Sequence, residues 1–86
     1  MKRIDRINKL LSYNLKEFNV EIKDNSNLHK GHHDFTGSDE THLELILKIQ
    51  RNKKINRLEI HKLINNLLKK EYEMGLHSLE IKINQF

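Results

Sequence analysis

The hydrophobic and polar positions of this chain change period repeatedly, and each change marks an element. Ile4, Ile7, Leu10 and Leu11 recur at helical spacing, with Lys, Arg, Asn and Asp on the opposite side. That pattern predicts a short amphipathic helix over residues 2–13. Asn14 through Glu17 reads as the turn that leaves it. The period then drops to two: Phe18, Val20 and Ile22 alternate with Asn19, Glu21 and Lys23, which predicts a half-buried strand ended by the turn residues Asp24-Asn25-Ser26-Asn27. Leu43, Leu45, Leu47 and Ile49 alternate in the same way with Glu44, Ile46, Lys48 and Gln50, giving a second and longer strand. Asn56, with Glu59 three residues on, is a capping signal for a second helix. Ile60, Leu63, Ile64, Leu67 and Leu68 form its apolar stripe, His61, Lys62, Asn65 and Asn66 lie outside it, and Gly75 is its stop. From His77 to Ile83 the period is two again, with Leu79, Ile81 and Ile83 on one face and Ser78, Glu80 and Lys82 on the other.

The expected order is α-β-β-α-β, an α+β fold. Strands that are apolar on one face only call for a three-stranded mixed sheet, with the helices packed on that face and water on the other. The connection from the second strand to the third should be a right-handed parallel crossover. Eighty-six residues are expected to form a single domain, 1–86, with a modest core. Its stability should be roughly 5–10 kcal/mol.

One stretch has no period. Leu28 to His42 is polar, carries Gly31 and Gly37, and holds four of the six histidines, His29, His32, His33 and His42. It reads as a surface loop suited to contact. Phase separates its histidines from one another and from the rest. His42 shares a phase with Glu44 and Lys48, so it should face away from the core, and together with His61 it is assigned no chemistry. His77 is in phase with the apolar row of the last strand and should sit at the rim of the sheet. His29, His32 and His33 lie within five residues, and clustered neutral imidazoles suit borderline metals. The same residues also fit a hydrophilic loop that merely contains histidines, and spacing does not choose between the two.

Composition narrows the alternatives. The chain has no cysteine, hence no disulfide and no thiolate ligand of its own, which fits a reducing compartment. Its first residues lack the apolar run of a signal peptide, and no stretch approaches the ~18 apolar residues of a membrane span, so a cytoplasmic protein is expected. Zinc signatures are absent, both Cys-x-x-Cys and His-Glu-x-x-His. Ser38, Asp39 and Glu40 beside histidines lack a nucleophile elbow, and no enzyme activity is expected. The net charge of +4 is small and interspersed with acids, yet Arg51, Lys53, Lys54, Arg57 and Lys62 make a basic patch near the second helix, a candidate surface for nucleic acid such as DNA.

Taken in order, Asp24-Asn25-Ser26, Leu28-His29-Lys30-Gly31-His32, Glu40-Thr41-His42-Leu43, Arg57-Leu58-Glu59-Ile60-His61-Lys62-Leu63-Ile64-Asn65 and Gly75-Leu76-His77-Ser78-Leu79 resemble the successive signatures of the BolA family. The family's Arg-His-Arg on the second helix reads Ile60-His61-Lys62 here, and its closing His-Ala-Leu reads His77-Ser78-Leu79. The resemblance implies a type II KH-like arrangement of the same α-β-β-α-β order. It also implies a monothiol glutaredoxin as partner and a [2Fe-2S] cluster shared with it and with glutathione. On this implication His77 and His32 would be the chain's ligands, with His33 as the alternative to His32. Two imidazoles on one iron would raise the potential above that of an all-thiolate cluster. Imidazole coordinates through a deprotonated nitrogen, so such a site should weaken near and below pH ~6.5. The role implied is iron–sulfur cluster assembly, transfer or regulation. The competing reading is a KH-like nucleic-acid-binding transcriptional regulator. KH domains clamp the backbone with a Gly-x-x-Gly loop, and no glycine occurs between Thr41 and Met74.

Overall fold

The computed structural model of the chain describes residues 2–26 and 41–86. Its elements are α1 (Arg3–Asn14), β1 (Asn19–Asp24), β2 (His42–Ile49), α2 (Arg57–Leu67), α3 (Lys69–Glu73) and β3 (Ser78–Gln85). β2 is the centre of a three-stranded sheet, antiparallel to β1 and parallel to β3. The mixed α+β architecture expected from the alternating periods is therefore the one found.

The register follows from the apolar rows. Val20 faces Leu47 and Ile22 faces Leu45 across β1 and β2, while Leu43, Leu45 and Leu47 of β2 face Leu79, Ile81 and Ile83 of β3. A slip of one residue would turn every one of these side chains to water, so burial of one face holds the pairing in place. Over that face pack Ile7 and Leu11 of α1, Leu15 just after it, Ile64 of α2, and Leu68 and Leu76 at either end of α3. The opposite face carries Glu21, Lys23, Lys48, Glu80 and Lys82, as a wetted face should, although Ile46 in the central strand is buried there between its neighbours.

The second helix departs from the expected single helix in two respects. Asn56 caps α2 as its sequence suggests, its side-chain oxygen accepting from the Glu59 N–H at 3.1 Å. The helix then breaks at Leu68, where φ is −98° and ψ 11°, and resumes as the short α3. Asn65 and Asn66, both weak helix formers, immediately precede the break, and the turn leaves Leu68 and Glu71 buried together against α1. Leu63, placed in the apolar stripe by period alone, is 38% exposed, because α2 is short and packs through Ile64 with Ile60 and Leu67 beside it. Removing the cap in Asn56→Ala should destabilise the domain by about 1 kcal/mol. The measurement is a lowered denaturant midpoint with an unchanged slope.

α3 ends on Gly75, whose φ of +118° is open to glycine and strained for other residues. A Cβ there would also lie 3.3 Å from the Arg3 guanidinium.

Candidate functional site

Because β2 and β3 are parallel, their first residues lie side by side, with His42 opposite Ser78. The N–H groups of His77 and Ser78 both donate to the Thr41 carbonyl, at 2.8 and 3.1 Å. This brings the His77 ring against that of His42, centroid to centroid 5.5 Å with planes 69° apart. His77 is exposed and His42 half-buried. The rim position that phase assigns to His77 moves outward because β3 begins one residue later, at Ser78, so strand alternation does not extend to His77. The larger correction concerns His42. It does lie on the outer-face row, but that row starts beside His77, so its ring is part of the same surface.

A buried polar clasp holds this corner. Ser26 and Thr41 are 2% and 3% exposed. The Ser26 hydroxyl donates to the Asp24 carboxylate and accepts from the Thr41 N–H at 2.9 Å and the His42 N–H at 3.3 Å. Asn25 N–H donates to the His42 carbonyl at 2.8 Å. Thr41 Oγ1 lies 3.0 Å from His42 Nδ1, which restrains the imidazole. Residues 26 and 41 flank the segment 27–40, so both of its anchor points are tied beside His42 and His77. The candidate ligands His32 and His33, like His29, lie outside the described residues. Among the described residues no group of three or more His, Cys, Asp or Glu is placed to hold a metal ion. Of the two adjacent imidazoles, His42 is engaged at Nδ1 by Thr41 while His77 is exposed, so His77 is the donor this corner offers to a metal that takes its other ligands from elsewhere.

Farther along the outer face, Glu44 bonds to Lys82 Nζ at 2.9 Å and accepts from Asn25 at 3.2 Å. The Lys82 hydrogen bond, then that of Asn25, holds the Glu44 carboxyl below the usual carboxylate range. Its partner Lys82 is pushed up chiefly by the same hydrogen bond.

The chain reaches His77 from α3, and α3 is pinned to α1. The buried Glu71 carboxylate accepts from Arg3 Nε at 3.1 Å and from Arg6 Nε and Nη2 at 2.9 and 2.8 Å. Arg3 Nη2 also donates to the Met74 carbonyl at 2.8 Å. Leu76 N–H closes the turn onto the Glu71 carbonyl at 2.9 Å and buries its side chain, leaving His77 as the next residue. Arg6 first, then Arg3, lowers the Glu71 pKa against the opposing effect of burial. Sequence reasoning missed this clamp. A glutamate in the apolar phase of the second helix was its one signal.

Arg51, Lys53 and Lys54 follow β2 at the other end of the sheet, about 25 Å from His42 by strand rise, while Arg57 and Lys62 lie on α2. Arg51, Lys53, Lys54, Arg57 and Lys62 are all exposed. Lys53, Lys54 and Arg57 line one open depression of about 700 Å³, with Ile55, Asn56, Leu58 and Gln85. Arg51 and Lys62 lie outside it. Two of the three cations already have partners, since Arg57 donates to the Ile83 carbonyl at 3.0 Å and Lys53 lies 3.9 Å from Glu17. No described helix is long and apolar enough to cross a membrane.

Comparison with known proteins adds to this geometry. Residues 4–85 match the family model described as BolA-like protein. The chain is 36% identical over 84 residues to the UV-induced protein uvi31 of Schizosaccharomyces pombe, covering 94% of this chain and 82% of that protein. It is 32% identical over 81 residues to the chloroplastic protein BOLA1 of Arabidopsis thaliana, spanning 92% of this chain but only 51% of that longer one. Among solved structures, the BolA domain of SufE1 from Arabidopsis thaliana superposes with a TM-score of 0.77 at 30% identity, over 99% of this chain and 93% of that one.

Proposed function

The chain belongs to the BolA-like family, and from that premise we propose that it is an iron–sulfur cluster assembly, transfer or regulatory factor. It binds a monothiol glutaredoxin and co-ligates a bridging [2Fe-2S] cluster through His77. The observation that carries this reading is the exposed His77 ring set against His42 at the anchored base of a histidine-bearing segment. The donor set fits the group in kind, because imidazole is an accepted ligand for a [2Fe-2S] iron while a chain without cysteine needs thiolates from a partner. His77 is the proposed first ligand, and His32 the second, with His33 in reserve. When bound, the cluster supplies a centre that can be handed on or sensed.

The chain's own residues do three things. The Glu71 clamp and the Leu76 anchor fix where the backbone emerges at His77. The Ser26–Thr41 clasp ties together the two residues that flank the segment 27–40, and the Thr41 carbonyl in turn accepts from the His77 N–H. His42 supports one side of the His77 ring, so that a docking partner meets a ligand already oriented.

The test is reconstitution of the full chain with a monothiol glutaredoxin, glutathione, iron and sulfide. A coloured 1:1 heterodimer is expected, with a visible spectrum distinct from that of the glutaredoxin homodimer. His32→Ala should perturb that spectrum more than His33→Ala, and the reverse result would exchange their roles.

A nucleic-acid role rests on a separate observation, the convergence of Lys53, Lys54 and Arg57 on one depression. Only three cations meet there, two of them already partnered, and the α2–α3 junction at Leu68 has no glycine to admit a phosphate backbone. In a gel shift at ~0.15 M salt, no sequence-dependent binding tighter than about 1 μM is expected. Such binding would reverse the ranking of the two functions.

A further inference from the structure

Among the described residues β3 is an edge strand, and its outer edge has a specific pattern. In the parallel ladder Ser78 N–H donates to Thr41 and Phe86 N–H to Ile49, while the Phe86 carbonyl accepts from Arg51. Even-numbered residues of β3 therefore turn their backbone groups toward β2. Alternation turns those of Leu79, Ile81, Ile83 and Gln85 outward. Among the described residues, Arg57 reaches this row and donates to the Ile83 carbonyl at 3.0 Å. Such a row is a template for another strand.

The side chains of the segment specify which strand. Leu79-Glu80-Ile81-Lys82-Ile83 is apolar, acidic, apolar, basic, apolar, so it is complementary to itself when reversed. We propose that β3 pairs with β3 of a second copy of the chain, antiparallel about a two-fold axis through Ile81, to form a continuous six-stranded sheet. In this register Ile81 meets Ile81, and Leu79 of each copy meets Ile83 of the other, which extends the apolar face across the junction. On the wet face Glu80 of each copy lies opposite Lys82 of the other, close enough to pair across the strands. Their side chains are 62% and 49% exposed; Lys82 already holds Glu44 at 2.9 Å and lies 3.8 Å from Glu80 of its own chain, and its ammonium has a third donor for Glu80 of the other copy. Moving the axis by one residue sets Glu80 against Glu80 or Lys82 against Lys82, so charge selects the register. The opposite edge is a poorer match. β1 has six residues, and the same operation about Ile22 would set Val20 against Asp24 on the apolar face.

The proposal is independent of the cluster reading and is tested on the full chain by sedimentation velocity from about 10 μM to about 1 mM, the range expected for a small, edge-only interface. A monomer–dimer equilibrium is expected. Ile81→Pro removes an outward N–H and no bond to β2, a position where proline is tolerated; it should fold, by circular dichroism, and stay monomeric. Glu80→Lys and Lys82→Glu each turn two opposite-sign pairs into like-sign pairs, and each should weaken self-association at least about tenfold. Mixing these two variants restores both pairs and should restore the dimer. Ile22→Pro, on the other edge, should leave dimerisation unchanged. A parent chain that stays monomeric at about 1 mM overturns the proposal and leaves the edge to an extended segment of another protein. So does a dimer that survives Ile81→Pro, or a mixture that associates no better than its components.

Discussion

His77→Ala is expected to fold as the parent chain does and to fail as a cluster partner. The side chain is exposed, and the structural bond at this position runs from the backbone N–H to Thr41, which alanine retains. Exposed substitutions of this kind change stability by a few tenths of a kcal/mol, so the melting temperature should stay within about 4 °C of the parent. The effect on the reconstituted heterodimer should be far larger. Loss of groups that merely support a metal ligand lowers metal affinity about 10–100-fold, and loss of the ligand itself should do at least as much. The visible spectrum should revert to that of the glutaredoxin homodimer, and cluster loss to a chelator should accelerate at least about tenfold. An unchanged spectrum and unchanged lifetime in a well-folded His77→Ala protein would remove His77 from the ligand set.

Glu71→Ala is the substitution with the largest expected effect on stability. It strips the shared acceptor from Arg3 and Arg6, whose guanidinium groups lie 2.8–3.1 Å from it. Removing one member of a buried ionic cluster costs about 3–5 kcal/mol. Arg6 is 37% exposed and can rehydrate, so about 2–3 kcal/mol is expected here. That is a large share of a domain this size. The pH dependence identifies the cause. The folded-state pKa of Glu71 is lowered from its ordinary value of 4.5. Its contribution is therefore fully present above about pH 4.5 and is lost as pH falls through the lower folded value. Glu44 titrates in the same sense, so the informative quantity is the gap between the two proteins. The parent should exceed Glu71→Ala by a constant margin at neutral pH, and the margin should close on acidification. Parallel denaturation profiles from pH 7 down to about pH 3 would mean that packing, not charge, accounts for the loss.

The elements were legible because each buries one face. Period alone located three strands and two helical regions, and Asn56 with Glu59 marked the start of α2 correctly. Two kinds of information were not local. The Glu71 clamp that follows the break at Leu68 depends on α1, where Arg3 and Arg6 give a glutamate in the apolar row its partners. The pairing of His42 with His77 depends on β2 and β3 being parallel and in register. Phase says which way a side chain points from its own strand and cannot say which residue starts the strand beside it. Phase and family resemblance singled out His77 as a candidate, whereas its neighbour His42 was set aside by the same phase argument. The candidate ligands His32 and His33 fall outside the described residues, so the choice between them rests on the variants proposed above.

The Ser26–Thr41 clasp has an evolutionary consequence. It joins β1 to β2 through residues on either side of the intervening segment, so the bonds of this corner use no side chain of residues 27–40. Lengthening a segment tied at both ends adds only chain entropy, about 0.6 kcal/mol for each doubling. Substitutions within it leave the bonds of the clasp in place. The clasp thus separates two kinds of change: those at Asp24, Ser26 and Thr41 act on the frame, and those between them act on whatever the segment meets.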